Sequence, residues 1–262
     1  MFKVIFTDLD GTLLDERYRC DKALNVIGKL KELKIPIIFV SAKTRYEQEV
    51  FRKALGIDDP FVVEDGSAIY VPKGYFDSLK NFNRKIKYDK RNGYDTLILG
   101  VPFEEIRVAI EEVMRKFHVR CYSCMSVEEV AKVTGLSLDM AELAMRREFS
   151  EVIVEADERA LELLGERFNV KVGGRFFHVY GKGANKGKAV RILTELYREK
   201  FGDVLTVGIG NSYTDLEMLK VVDVPALVRN RDGWIDVDFD VYRARGIATQ
   251  GWIEVVKKFV LR

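Results

Sequence analysis

Residues 4–16 read VIFTDLDGTLLDE, and the reading of this stretch decides the fold. Val4, Ile5 and Phe6 are the apolar run of a short buried strand, closed by a turn signal at Gly11. Side chains alternate across a strand, so Asp8 and Asp10 are expected to point the same way at its C-terminal end. Two like charges held side by side cost free energy unless a cation or a proton lies between them. The pair therefore predicts a cation or a shared proton at the strand end.

Outward from this strand the apolar pattern switches between helical and extended periods. KALNVIGKLKELK (22–34) has helical spacing and IPIIFVSA (35–42) is a second buried strand. RYEQEVFRKALG (45–56) is a helix closed by Gly56, and PFVVEDGSAIYV (60–71) a strand with a turn and hairpin. The alternation resumes near residue 186: helix KGKAVRILTELYREKFG, strand DVLTVGIG, helix SYTDLEMLKVV, strand VPALVRN, and a C-terminal helix GWIEVVKKFVL. Strands separated by helices imply a parallel sheet with helices on its faces. Between the halves the pattern is self-contained. DTLILG is a strand, Pro102 opens a helix, HVRCYS is a strand, and Ser126 with Glu129 forms a capping box. EVIVEAD, ERALELLGERF and NVKVGGRFFHVYG follow as strand, helix and strand. The expected organisation is α/β: a Rossmann-like parallel-sheet core from residues 1–79 and 182–262, with a smaller α/β domain inserted at 80–181.

Composition excludes several classes. Lys and Arg number 43 against 41 Asp and Glu, so no overall field draws in nucleic acid or anionic lipid. The basic segment KNFNRKIKYDKRNGYD (80–95) reads as a solvated linker face. No run of about 18 uncharged apolar residues offers a membrane span, and no secretory signal precedes the first strand, so a cytoplasmic location is expected. A charged fraction of 32% suits a thermophile. Cys121 and Cys124 form a C-x-x-C without a second pair or a nearby His, and read as structural. With His118 and His178 as the two histidines, neither a His-based metal site nor a Ser-His-Asp triad is expected.

Ligands bind beyond the carboxyl ends of the strands in an open parallel sheet. Four such ends carry polar residues: TDLDGT, then VSAKTR with Ser41 before a helix start whose free N–H groups suit an anion, GANKGKA with Lys186, and GIGNSYTDLEML with Asn211 and Asp215. Carboxylates, a hydroxyl and a lysine are the parts for magnesium-assisted phosphoryl transfer. Competing phosphate motifs fail. GKGANKGKA breaks the P-loop spacing, and GIGNSY has Tyr213 where a dinucleotide fingerprint needs its third glycine.

The four segments, in this order, resemble the haloacid dehalogenase superfamily of aspartyl-phosphate phosphatases. The resemblance implies that Asp8 attacks phosphorus, that Asp10 protonates the leaving oxygen and then activates water, and that Ser41 and Lys186 hold phosphate. It implies Mg2+ on the Asp8 carboxylate, the Asp10 carbonyl, Asp215 and Asn211. In GNSYTD, Asn211 and Thr214 replace the first Asp and the Asn of the family's usual G-D-S-x-N-D, so weaker magnesium binding is expected. Further stretches, SAKTRYE, EDGSAIYVPKGYF, RREFSE and GGRFFHVYGKGANKGKA, are similar to the mannosyl-3-phosphoglycerate phosphatase group. That group's substrate carries a phosphate, a carboxylate and a sugar, and its product is a compatible solute. Arg147, Glu148, Arg175 and His178 are then candidates for carboxylate and hydroxyl recognition, with Lys43 and Thr44 at the entrance. A sugar phosphatase related to the sucrose-phosphate phosphatases, or a phosphate-sensing protein on the same fold, shares the same core motifs.

Overall fold

The computed structural model describes residues 1–77, 79, 87–91 and 93–262. Residues 80–86 and 92 of the basic segment lie outside the described residues, as does the expected boundary at 80. In chain order the strands are β1 (Phe2–Thr7), β2 (Ile37–Phe39), β3 (Phe61–Val63), β4 (Ala68–Pro72), β5 (Lys87–Arg91), β6 (Tyr94–Ile98), β7 (Val119–Cys121), β8 (Ser150–Ala156), β9 (Phe168–Gly173), β10 (Phe176–Gly181), β11 (Val204–Gly210), β12 (Val224–Arg229) and β13 (Tyr242–Ile247). The helices are α1 (Leu24–Glu32), α2 (Arg45–Leu55), α3 (Phe103–Met114), α4 (Val127–Thr134), α5 (Leu138–Met145), α6 (Glu158–Arg167), α7 (Lys186–Phe201), α8 (Leu216–Leu219) and α9 (Thr249–Phe259).

The central sheet is parallel, in the order β13-β12-β11-β1-β2. Its interior strand β1, between β11 and β2, is buried on both faces, which is why its sequence is a continuous apolar run rather than an alternation. Val4 and Phe6 pack with Val190, Leu193 and Tyr197 of α7, whereas Ile5 packs with Ile27 of α1 and Trp252 of α9. Alternate residues of one strand thus build the two halves of the core. Trp252 is fully buried and donates its indole N–H to Thr7 Oγ1 at 3.0 Å, so this large side chain leaves no orphan donor.

A bridge between Val40 and Val62 passes the chain from the central sheet to a second one, antiparallel, in the order β3-β4-β6-β5. The segments β5 and β6, read from sequence as belonging to the inserted part, therefore pair toward β4. A third sheet, β7-β8-β10-β9, has α3 and α6 packed on one face and α4 and α5 on the other. The two chain connections to this third sheet run side by side. A Cβ at Gly181 would lie 2.9 Å from the Val101 nitrogen, so the glycine permits the approach.

Several local expectations need correction. NVKVGGRFFHVYG is a hairpin, β9 and β10, turning at Gly174 and Arg175, because Gly174 takes a left-handed φ of 63°. SYTDLEMLKVV forms a 3-10 turn (Tyr213–Asp215) and the single turn α8, since Asp215 is drawn inward and its carboxylate caps the loop. Helix α5, whose periodicity is weak, and strand β13 escape sequence reading.

The turn between β3 and β4 bears on everything that follows. Glu64, Asp65 and Gly66 are consecutive left-handed residues, at φ 49°, 58° and 93°. For the two non-glycine residues this costs about 1–2 kcal/mol each, yet both are buried. The turn packs on the start of α7, where a Cβ at Gly66 would meet the Asn185 carbonyl carbon at 2.2 Å. Gly66→Ala combines backbone strain with this collision, and should destabilise the protein by about 3 kcal/mol or more. Gly74→Ala, at φ 79° with open space around it, should lose about 1–2 kcal/mol. Equal denaturant midpoints for the two variants would contradict the packing argument.

Candidate active site

The four strand-end segments converge. Asp8 follows β1, and its Oδ1 accepts from Lys186 Nζ at 2.9 Å. The same ammonium donates to Asp215 Oδ1 at 2.7 Å. All three groups are buried. Lys186 is placed by the first turn of α7, whose N-cap Asn185 accepts from the Lys188 N–H. Asp215 is held by its loop: its Oδ2 accepts from the Asn211 N–H, the Ser212 N–H and the Ser212 hydroxyl.

Burial pushes the Asp8 carboxyl up to about 7; the Asp215 charge adds to this, and Lys186 only partly opposes it. The like-charge tension anticipated between Asp8 and Asp10 is thus larger between Asp8 and Asp215. Asp10 has a cation of its own, Lys43 Nζ at 3.1 Å. Lys43 also meets Glu47 Oε1 at 3.3 Å. Burial would lower the Lys43 pKa, but Asp10 and Glu47 outweigh it and raise it.

Ser41 lies buried beside these groups. The expectation of free amides at the start of α2 is corrected: a capping box takes them. Thr44 Oγ1 accepts from the Glu47 N–H, Glu47 Oε2 accepts from the Thr44 N–H, and the Lys43 N–H donates to Ser41 Oγ. Thr44 is therefore fully buried, its hydroxyl donating to the Leu143 carbonyl, and does not line the entrance. Asn211 is clamped: its Oδ1 accepts from the Thr12 hydroxyl at 3.0 Å and its Nδ2 donates to Asn230 Oδ1 at 2.8 Å.

A cavity of about 280 Å³ joins this cluster to the third sheet. Asp8, Asp10, Ser41, Lys43, Lys186 and Asn211 line one end; Tyr122, Leu136, Val152, Arg175, Phe176 and His178 line the other. Arg147 also lines it, but its guanidinium donates to the Ala42 carbonyl at 2.8 Å and to Ser150 Oγ at 2.9 Å. Glu148 does not line it; Tyr70 donates to its Oε2 at 2.7 Å and Arg45 lies at 3.5 Å. Arg175 donates to the Thr134 carbonyl, and His178 Nδ1 lies 2.7 Å from Asp65 Oδ2.

Sequence reading missed Thr12, Asn230, Glu64 and Asp65. Thr12 sat within the first motif, and Asn230 sits at the C-terminal end of β12, where ligand-facing residues are expected. No spacing rule marks Glu64 or Asp65.

Does the cluster suit a magnesium ion? Its donors are hard oxygens: the Asp8 and Asp215 carboxylates and the Asn211 amide. Two carboxylates, Asp8 and Asp215, face the single Lys186 ammonium, so their formal negative charge exceeds what Lys186 neutralises. Both features fit. Among the described residues no three His, Cys, Asp or Glu side chains close on one point, so neutral oxygens would complete the shell, as magnesium commonly allows.

The chain is also similar to known proteins. A family model for haloacid dehalogenase-like hydrolases matches residues 5–92 and 129–233. The chain is 43% identical over 232 residues to a glucosyl-3-phosphoglycerate/mannosyl-3-phosphoglycerate phosphatase of Persephonella marina, covering 86% of this chain and 84% of that one. It is 38% identical to the enzyme of the same name from Methanococcoides burtonii, covering 99% and 98%. A mannosyl-3-phosphoglycerate phosphatase of Pyrococcus horikoshii is 37% identical, covering 87% and 91%. Among solved structures, a Thermoplasma acidophilum protein superposes with a TM-score of 0.69 at 17% identity, covering 100% of both chains. A haloalkanoate-superfamily protein of Bacteroides thetaiotaomicron gives 0.68 at 17% identity, covering 100% and 96%.

The raised Asp8 pKa has a signed consequence. Stability from this group is present below the unfolded value near 3.8 and is lost as pH rises toward about 7. In EDTA, Asp8→Asn should therefore gain on the wild type by more than about 1 kcal/mol between pH 4.5 and pH 7.5. Paired urea titrations measure it; a pH-independent difference would contradict it.

Proposed function

This chain belongs to the haloacid dehalogenase-like hydrolases, and from that premise we propose that it hydrolyses mannosyl-3-phosphoglycerate, or its glucosyl counterpart, to the glycosylglycerate and phosphate. One observation carries the reading: the Asp8–Lys186–Asp215 cluster opens into a cavity roofed by residues of the 80–181 insertion, in a chain matched almost end to end by relatives with that printed activity. The product would serve as a compatible solute in the cytoplasm of a thermophile.

In this mechanism Asp8 attacks phosphorus, the bond to the glycerate oxygen breaks, and an aspartyl-phosphate forms. Asp10 delivers a proton to the departing oxygen, then takes one from the water that hydrolyses the acyl phosphate. Lys43 holds the Asp10 side chain at the cavity wall, and Asp10, half exposed, takes from solvent the proton that it delivers. Lys186 remains against Asp8 throughout and offsets charge that builds up during transfer. Thr12, donating to Asp8 Oδ2 at 3.2 Å, helps fix the attacking carboxylate. Magnesium held by Asp8, Asp215 and Asn211 would supply charge neutralisation and phosphate alignment. The part inserted between Val101 and Gly181 acts as the cap that selects the substrate, through Arg175 and His178 above all. Arg147 ties the cap to the Ala42 loop instead of reaching for substrate.

Phosphate release should show at least about tenfold higher kcat/KM, worth about 1.4 kcal/mol, for mannosyl-3-phosphoglycerate than for 3-phosphoglycerate, mannose 6-phosphate or sucrose 6-phosphate. EDTA or Asp8→Asn should abolish turnover of all four. Equal turnover of the simpler esters would keep the chemistry and reject the substrate; no turnover at all would favour a phosphate sensor.

A further inference from the structure

The turn at Glu64 and Asp65 is strained, buried and charged, and the catalytic chemistry proposed above makes no use of it. Strain of this kind persists where surrounding structure over-determines it, and it clusters at functional sites. Both side chains reach across to the insertion. Glu64 accepts from the Glu148 N–H, the Phe149 N–H and the Ser150 hydroxyl, which anchors the start of β8. Asp65 takes a different partner, the His178 ring on β10, through Nδ1 at 2.7 Å.

His178 lines the cavity. Its ring lies flat against Gly173 on the neighbouring strand, where a Cβ would meet Cε1 at 2.4 Å and Nε2 at 2.7 Å. Glycine is thus what lets the ring take this seat. With Nδ1 committed to Asp65, Nε2 has no hydrogen-bond partner among the described residues. Three of the four Lys and Arg side chains that line the cavity are tied by two protein partners each, and the fourth, Arg175, by one hydrogen bond to the Thr134 carbonyl. Lys186 bridges two carboxylates, Lys43 bridges Asp10 and Glu47, and Arg147 binds Ala42 and Ser150. The Asp65 carboxyl lies below its usual range: burial would raise it, but the neighbouring His178 and Lys186 outweigh that. It is therefore an anion facing Nδ1, and an anion there keeps a proton on that nitrogen.

We propose that Asp65 is a positioning residue: its carboxylate accepts from the His178 Nδ1–H and turns Nε2 into the cavity, where the ring, taking a second proton from solvent as the substrate binds, donates Nε2–H to the substrate's carboxylate, the second anionic group beside the scissile phosphate. This rests on the substrate reading above. Asp65 itself does not touch the substrate, and the αL backbone at 64–65 is what brings its carboxylate to the ring. The backbone around it is fastened to the phosphate end, since the Asp65 N–H donates to the Ser41 carbonyl at 3.2 Å.

The test pairs kinetics with the ring's own signal, using the full-length enzyme with magnesium. KM is measured for mannosyl-3-phosphoglycerate and for p-nitrophenyl phosphate, which has no carboxylate. His178→Gln should raise the first KM about tenfold or more, the loss of one charge-assisted hydrogen bond, and leave the second within about twofold. Gly173→Ala, which displaces the ring without removing a charge, should shift KM the same way, and so should Asp65→Asn. Long-range nitrogen–proton NMR resolves the ring readily, because the chain has two histidines. In the wild type the His178 Nδ1 should carry a proton, and in Asp65→Asn that occupancy should fall. A parallel KM rise for both substrates, or an unchanged proton occupancy of Nδ1 in Asp65→Asn, would overturn the proposal. Should Asp65→Asn not fold, the His178 and Gly173 variants decide it. A wild type with no preference between the two substrates would count against the substrate reading, while the NMR comparison still judges the Asp65–His178 pair.

Discussion

A single buried ammonium holds the catalytic half of this molecule in register. Lys186 meets Asp8 and Asp215 at 2.9 and 2.7 Å, which joins the ends of β1 and β11 to the start of α7. A buried charge without partners is very costly, so each of these three groups requires the other two. Because α7 also packs its apolar face on β1, position is set twice, once by hydrophobic contact and once by charge. The outcome is a rigid cluster with an excess of negative charge, suited to receive a cation and a phosphate together.

The second set of constraints lies along the seam between the central sheet and the insertion. Polar connections cross it, among them Glu64 to the start of β8, Asp65 to His178, Arg147 to the Ala42 carbonyl, and Thr44 to the Leu143 carbonyl. Most are buried, where water competes poorly and each bond is correspondingly stronger. Several groups that look substrate-directed in sequence serve this seam instead. Glu148 is the plainest example, engaged by Tyr70 and Arg45 outside the cavity.

How much of this could be read from residues alone varied with the physics involved. The central strands and the four converging strand ends were legible, because buried parallel strands are continuous apolar runs and ligand-facing residues collect at their ends. Asp8, Asp10, Ser41, Lys186, Asn211 and Asp215 are brought together as the order of motifs implies. The turn at Gly174 was obscured because both flanking segments are apolar and fuse into one apparent strand. The capping role of Thr44 was hidden because a capping box and a ligand-binding hydroxyl look alike in sequence. Contacts across the seam join residues about 85 to 113 positions apart, a range over which local pattern carries no information.

The side-by-side passage of the two chain connections, with Gly181 against Val101, has an evolutionary reading. An insertion that leaves and re-enters at one point can be replaced as a cassette without reopening the sheet that carries the chemistry, and new specificities can be recruited onto an old reaction centre. The modularity is incomplete, however. Glu64 and Asp65 belong to the host in sequence and to the guest in contact, so a transplanted cassette would have to bring changes at those two positions with it. Descent by cap exchange should therefore leave a correlated footprint outside the exchanged segment, at a turn far from it in the chain.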